Sequence, residues 1–111
     1  MNDKITTSAH VPTDSASKYL QQLCKHWSHN LQVEFTPEHG TIVFPAEGRA
    51  GTFPADGLVT FDAIDEALAI RIDGATDEQV NALQDVVARH LERFAFREAP
   101  LIFDWTRDTA A

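Results

Sequence analysis

Residues 68–94 read LAIRIDGATDEQVNALQDVVARHLERF and change from a strand pattern to a helix pattern within a few positions. Apolar residues alternate with smaller or charged ones at positions 68–72, which is the period of a half-buried strand. Thr76 is followed three positions later by Gln79, a pair typical of a capping box at a helix start. The apolar residues beyond it form one helical face: Val80, Leu83, Val87, Leu91 and Phe94. We therefore predict a strand followed by a long amphipathic helix that ends near Arg97.

The first part of the chain predicts another strand and helix. Residues 5–11 have a weak strand pattern, and Thr13 or Asp14 can cap the helix that follows. One face of this helix is apolar: Ala16, Leu20, Leu23 and Trp27. We expect the helix to end near Asn30 and to bury its apolar face against a sheet.

Short apolar runs between the two helices predict about four antiparallel strands, including the one at positions 68–72. Residues 32–35 and 41–44 form two runs joined by a hairpin loop that contains proline and glycine. A further strand lies within residues 49–62, where glycine and proline interrupt the apolar pattern. Because the strands are grouped between helices, we predict an α+β two-layer sandwich with both helices on one face of the sheet.

The length of 111 residues and the 43% of hydrophobic residues predict a single domain over residues 1–111 with a buried core. Alternation of apolar residues at positions 101–105 predicts a last strand. We expect residues 1–4 and 106–111 to be frayed tails, because polar chain ends are poorly ordered unless contacts hold them.

Cysteine content and hydropathy indicate a cytoplasmic protein. Cys24 is the single cysteine, which excludes an intramolecular disulfide and suits a reducing compartment. The first residues lack the apolar segment of a secretory signal, and no apolar run approaches the roughly 18 residues of a membrane span. We therefore expect no association with a membrane.

The charge distribution disfavours nucleic acid as a partner. The protein has a net charge of -8, with 9 basic and 17 acidic residues. Residues 34–78 hold ten acidic residues but only two arginines, Arg49 and Arg71. A duplex-binding surface needs positive charge to contact phosphate groups, so we expect no nucleic-acid binding.

The segment CKHWSH at residues 24–29 contains thiol and imidazole groups, which are the ligands that zinc and iron accept. On a helix, His26 and His29 are about 60° apart and can reach one ion, whereas Cys24 and His26 are about 200° apart. Two ligands do not complete a metal site. We therefore favour a buried Cys24 and exposed histidines near the helix end, and keep His26 and His29 as candidate zinc or iron ligands.

Three arginines at spacings of four lie on the second helix, away from its apolar face. A small anionic ligand or a protein partner could dock on this edge through the guanidinium groups. Alternatively, the helix dipole favours these arginines, and Glu92 and Glu98 neutralise them. The candidate residues for ligand or partner binding are Cys24, Arg89, His90, Arg93 and Arg97.

Catalytic motifs are absent from the sequence: it has no nucleophile elbow and no glycine-rich phosphate loop. The enzymatic alternative is a metal-binding or thiol-dependent enzyme that uses Cys24 with His26 and His29. Helical geometry places His26 on a different face from Cys24, so a base for the thiol would have to come from elsewhere. We therefore expect a binding or accessory module with no cofactor rather than an enzyme.

Two segments, KYLQQLCKHWSH at residues 18–29 and DVVARHLERFAFRE at residues 85–98, resemble the bacterial family catalogued as domain of unknown function 2218. Residues 48–67 look longer than in that family. The resemblance implies a small cytoplasmic bacterial domain. Similar domains are associated with siderophore-interacting, flavin-dependent iron reductases, so the resemblance also implies an accessory role in siderophore and iron handling.

The strand count makes a prediction about the relative position of these two segments. Four antiparallel strands between the helices make the helices antiparallel. His26 would then lie near the start of the second helix, at Thr76, and His90 about 15 Å away at the opposite end. We therefore expect that His26 and His90 do not share a ligand.

Overall fold

The computed structural model describes residues 5–48 and 51–109. Its helices are α1 (Ala16–Trp27) and α2 (Asp77–Phe94). Its strands are β1 (Ile5–Pro12), β2 (Gln32–Phe35), β3 (His39–Phe44), β4 (Glu47–Gly48), β5 (Gly51–Thr52), β6 (Gly57–Ile64), β7 (Ala67–Gly74) and β8 (Thr106–Thr109). No helix in this part of the chain has the length and hydropathy needed to cross a membrane.

Six strands form one sheet in the order β2-β3-β6-β7-β1-β8, and every neighbouring pair is antiparallel. The strands β4 and β5 pair separately as a short hairpin. Between the two helices the main sheet therefore receives four strands, β2, β3, β6 and β7. The predicted α+β architecture is confirmed.

Both helices cover the same face of the sheet. Four residues are paired directly across neighbouring strands and so face the same side of the sheet: Gly40 on β3, Phe61 on β6, Ile70 on β7 and Ala9 on β1. Side chains of α1 contact Gly40, and side chains of α2 contact Gly57, which is on that same side of β6. The buried residues of this layer include Leu20, Leu23, Trp27, Ile42, Val59, Phe61, Leu68, Ile70, Ile72, Val80, Leu83, Val87 and Leu91. Each large apolar side chain buried here contributes about 1.5–3 kcal/mol.

The start of α2 follows the predicted capping pattern. The Gln79 backbone N–H donates to Thr76 Oγ1 at 3.0 Å. The Gln79 side chain accepts from the Ala75 N–H at 2.6 Å and donates to the Ala55 carbonyl at 2.8 Å. The capping box is confirmed, with one difference. The Gln79 side chain bonds the N–H of Ala75, the residue before the cap, rather than the N–H of Thr76 itself. Gln79, which is 1% exposed, also ties the helix to the loop before β6.

Both helices end earlier than predicted. The helix α1 ends at Trp27 rather than near Asn30, and a turn over residues 28–30 follows, in which the Asn30 N–H donates to the carbonyl of Trp27 three residues earlier instead of four. The helix α2 ends at Phe94 rather than Arg97, and a turn follows over residues 95–98.

The N-terminal cap of α1 is one or two residues later than predicted. Ser15, not Thr13 or Asp14, occupies the cap position. Thr13 still contributes, because its Oγ1 atom accepts a hydrogen bond from the Ser15 N–H at 3.1 Å.

The last strand is also later than predicted. Residues 101–105 form no strand, and residues 106–109, which we expected to be frayed, form β8 and pair with residues 5–8 of β1. Asp104 explains the difference, since its carboxylate accepts from the His10 N–H at 2.8 Å in place of a strand backbone. The expected frayed ends 1–4 and 110–111 lie outside the described residues.

Candidate functional site

The two helices contact each other along a seam and run in opposite directions. Tyr19, near the start of α1, donates a hydrogen bond to the carboxylate of Glu98, just after the end of α2. His26, near the end of α1, packs against His90, one turn before the end of α2. As contacts move forward along α1 they move backward along α2, so the helices are antiparallel, as the strand count predicts.

The prediction that His26 and His90 lie far apart is nevertheless wrong. Their ring centroids are 5.2 Å apart. The reason is the unequal length of the helices, because α2 has 18 residues and α1 only 12. The start of α2 extends past the end of α1 and packs on another part of the chain, where Gln79 bonds the Ala55 carbonyl. His26 therefore faces the last turns of α2 and not its start.

The two histidines belong to an aromatic cluster at the seam. The His90 ring centroid lies 4.9 Å from that of Trp27, and His26 lies 5.9 Å from Phe94. Trp27 is buried at 7% exposure, whereas His26 is exposed and His90 is half-buried. We call His26, Trp27, His90 and Phe94 the histidine cluster.

Hydrogen bonding fixes the tautomer of His90. Its Nδ1 atom lies 2.7 Å from the Val86 carbonyl oxygen, one turn earlier on α2. A carbonyl can only accept, so Nδ1 carries the proton and the Nε2 atom of the neutral ring keeps its lone pair.

His26 is held in its neutral form. Burial of its ring lowers the pKa of His26 below the ordinary value, and the neighbouring side chains of His90, His29 and Arg93 lower it further. The cluster therefore presents a neutral imidazole at pH 7.

A groove of about 390 Å³ opens on the outer side of the seam, next to the histidine cluster. Its lining residues come from α1, the end of α2 and the turn that follows: Lys18, Tyr19, Gln22, Phe94, Phe96 and Arg97. Phe96 is 68% exposed, and the Arg97 guanidinium lies 5.7 Å from the centre of its ring. The groove thus combines two positive charges with three aromatic rings, those of Tyr19, Phe94 and Phe96.

Two polar side chains shape the groove in different ways. Tyr19 donates a hydrogen bond to the Glu98 carboxylate, and this bond, together with burial, raises the pKa of Tyr19. Thr13 donates to the same carboxylate at 3.2 Å. These bonds hold the turn after α2 against the start of α1. The Gln22 Oε1 atom is buried and has no hydrogen-bond partner among the residues that the structure describes. Because this atom is shielded from solvent, a bound molecule can reach it only if the Gln22 side chain moves.

The structure brings together only some of the residues predicted from sequence. His26 meets His90, and Arg93 lies close enough to influence His26. Arg97 lines the groove, but it lies beyond the helix and so does not continue the predicted row of arginines. Arg89 pairs instead with Asp85 at 2.9 Å on the exposed face of α2.

Cys24 lies apart from both the groove and the histidine cluster. Its side chain is fully buried between α1 and the sheet, and burial raises the pKa of its thiol to about 11. A thiol of this kind is mostly protonated at neutral pH and has little access to a substrate, which gives no support to Cys24 as a nucleophile.

The predicted pair of His26 and His29 is not the pair that the structure places in ring contact. His29 is exposed, and the imidazole that packs against His26 is that of His90. No group of three or more His, Cys, Asp or Glu side chains that could hold a metal ion occurs within residues 5–48 and 51–109.

Sequence reasoning missed most of the groove. Lys18 and Gln22 stand four residues apart on α1, which is the spacing of one helical face, but nothing local distinguishes them from ordinary surface residues. Phe96 and Arg97 could be assigned to a groove only once the helix end at Phe94 was known.

The architecture defines a small α+β domain, with two antiparallel helices on one face of an antiparallel sheet and a cationic, aromatic groove beside their seam. The chain belongs to the bacterial family described as "Uncharacterized protein conserved in bacteria (DUF2218)", whose sequence profile matches residues 8–106. This confirms the resemblance noted from the two segments.

A solved structure shares this architecture. The NMR structure of PA4090 from Pseudomonas aeruginosa is similar to the chain with a TM-score of 0.62 and 27% sequence identity. The similarity covers 96% of this chain and 95% of that chain. A comparison with curated proteins gives no match.

Proposed function

We propose that this domain is a non-enzymatic binding module whose groove holds a small organic anion with a flat aromatic part. The observation that carries the proposal is the placement of Lys18 and Arg97 beside three aromatic rings and an unpartnered amide oxygen. The volume of about 390 Å³ is in the range of small-molecule sites, which run from roughly 300 to 1,000 Å³.

The cations favour an anionic ligand. Neither Lys18 nor Arg97 forms an ion pair within the described residues, so both charges are available. The Arg97 guanidinium can bind a carboxylate through two parallel hydrogen bonds. Because the protein as a whole carries a charge of -8, an anion gains attraction only close to such a local pair of cations.

The aromatic rings favour a flat body next to that anionic group. Phe96 is largely exposed and Phe94 forms part of the groove wall, so a ligand ring can cover apolar surface that water now contacts. Offset or edge-to-face aromatic pairs of this kind contribute about 0.5–1.5 kcal/mol beyond the area they bury.

Gln22 narrows the ligand class further. A buried carbonyl oxygen without a partner costs about 1–3 kcal/mol, and a ligand hydroxyl or N–H group would remove that cost once the Gln22 side chain turns into the groove. Hydroxylated aromatic acids, including the catecholate groups of siderophores, combine an anionic group, a flat ring and such a donor. The association with iron reductases that the sequence resemblance implies points to the same class, so we propose a cytoplasmic accessory role in siderophore handling.

Titration calorimetry with 2,3-dihydroxybenzoate tests the proposal. We expect a dissociation constant below about 1 mM for the unaltered chain. The variants Arg97→Gln and Gln22→Leu should each weaken binding, Arg97→Gln by at least about tenfold, since a charge-assisted bond contributes about 1.5–3 kcal/mol.

Two controls make the test specific. Arg89→Gln removes an arginine that pairs with Asp85 outside the groove, so it should bind like the unaltered chain. Benzoate lacks the hydroxyl groups, so it should bind more weakly than the dihydroxy compound, and Gln22→Leu should abolish that difference. Absence of binding at millimolar concentration, or an equal loss in Arg89→Gln, would overturn the proposal.

A further inference from the structure

The separation of the imidazoles in the histidine cluster matches the geometry of a shared metal ion. An imidazole nitrogen binds Zn²⁺ at about 2.0–2.1 Å, so the ring centroid lies about 3.2 Å from the ion. Two such ligands at a tetrahedral angle then have centroids about 5.2 Å apart. The observed distance between the centroids of His26 and His90 is 5.2 Å.

The hydrogen bond of His90 is of the kind that metal ligands make. Metal-binding histidines usually donate their second N–H to a carbonyl or a carboxylate, which fixes the ring and leaves the other nitrogen free for the ion. His90 donates from Nδ1 to the Val86 carbonyl at 2.7 Å, so its Nε2 atom is the free one. The bond lies within α2, so the helix itself holds the His90 ring.

The pair is accessible to an ion with an open coordination sphere. His26 is exposed and His90 half-buried, so an ion can approach from solvent. The charged neighbours are His29 on α1 and Arg93 on α2, which oppose a cation, and no third ligand converges among the described residues. Water or a second molecule would complete the coordination, and binding is weaker than at a closed site of four protein ligands.

We infer that His26 and His90 form a two-histidine site for a divalent transition-metal ion, with one imidazole from each helix. Imidazole ligands suit Zn²⁺, Ni²⁺ and Cu²⁺, and the general order of affinities makes Cu²⁺ the strongest of these. The site is separate from the cations of the groove and does not depend on the proposed organic ligand.

Titration of the untagged chain with Zn²⁺ and Cu²⁺ tests the inference. Calorimetry with Zn²⁺ should give one ion per chain. Cu²⁺ should quench tryptophan fluorescence, because the Trp27 ring centroid lies 4.9 Å from that of His90. The variants His26→Gln and His90→Gln should each reduce the affinity at least tenfold.

Matched variants separate this site from other histidines. His29→Gln tests the pairing within α1, and His39→Gln removes an imidazole that bonds Asp62 at the far side of the sheet. Both should bind Zn²⁺ within about twofold of the unaltered chain. His26 is exposed, so His26→Gln should fold even if His90→Gln does not, and circular dichroism checks each variant. Absence of Zn²⁺ binding below about 1 mM, or a loss in His29→Gln equal to that in His26→Gln, would overturn the inference.

Discussion

Replacing Gly40 with alanine tests how closely α1 approaches the sheet. A Cβ atom at this position would lie 2.6 Å from Cys24 Sγ, 3.2 Å from Phe35 Cβ and 3.4 Å from Leu20 Cδ2. The first distance is about 1 Å shorter than an ordinary van der Waals contact, so the Cys24 side chain, α1 or β3 must shift. Overpacking of this kind costs about 1–3 kcal/mol. We therefore expect Gly40→Ala to lower the free energy of unfolding by about 2 kcal/mol.

The Cys24→Ala variant is the matched partner, because it removes the Sγ atom. The single Cys24→Ala variant loses a small buried group, so we expect it to lower the free energy of unfolding by about 1–2 kcal/mol. In the double variant the contact is relieved, so its destabilisation should be smaller than the sum of the two single effects by at least about 1 kcal/mol. Urea unfolding of all four proteins measures these values. Additive effects, within about 0.5 kcal/mol, would refute the close contact between Cys24 and Gly40.

Two further predictions concern titratable groups. The Cys24 thiol should react with a thiol reagent at neutral pH far more slowly in the native chain than in urea, because burial raises its pKa to about 11, and equal rates would contradict that burial. The pKa of His26 is lower in the folded chain than in the unfolded chain, where it is about 6.5, so the unfolded chain binds the His26 proton more tightly. The folded state therefore has its full stability above about pH 6.5 and loses stability as the pH falls below that value. Urea unfolding at about pH 7.5 and about pH 5.5 should show a smaller loss for His26→Gln than for the unaltered chain, and an equal loss would assign the effect to another group.

The parts of the fold that the sequence predicts are those determined by local periodicity. The apolar face of α2 and its cap at Thr76 are both local features, and both are confirmed. The alternation at positions 68–72 likewise predicts β7. The sequence pattern places the last strand too early. The His10 N–H bonds the side chain of Asp104 instead of a strand backbone, and a strand pattern cannot reveal a bond of that kind.

The candidate site depends on contacts between distant parts of the chain, and this explains what the sequence left out. The strand count correctly predicts antiparallel helices but does not determine how far one slides along the other, so the contact between His26 and His90 was missed. The groove requires the turn after α2 to fold back onto α1. That turn is held by hydrogen bonds from Thr13 and Tyr19 to Glu98, which are 85 and 79 positions apart in the chain.

The carboxylate of Asp104 has a consequence for self-association. The strand β8 pairs only with residues 5–8 of β1, which leaves the second half of β1 as an open edge where another chain could add a strand. Along that edge the His10 N–H is already bonded to Asp104. The next backbone nitrogen on the same side, two residues later, is that of Pro12, which has no N–H to donate. A negative charge and a missing donor therefore protect this edge from the intermolecular pairing that leads to aggregation.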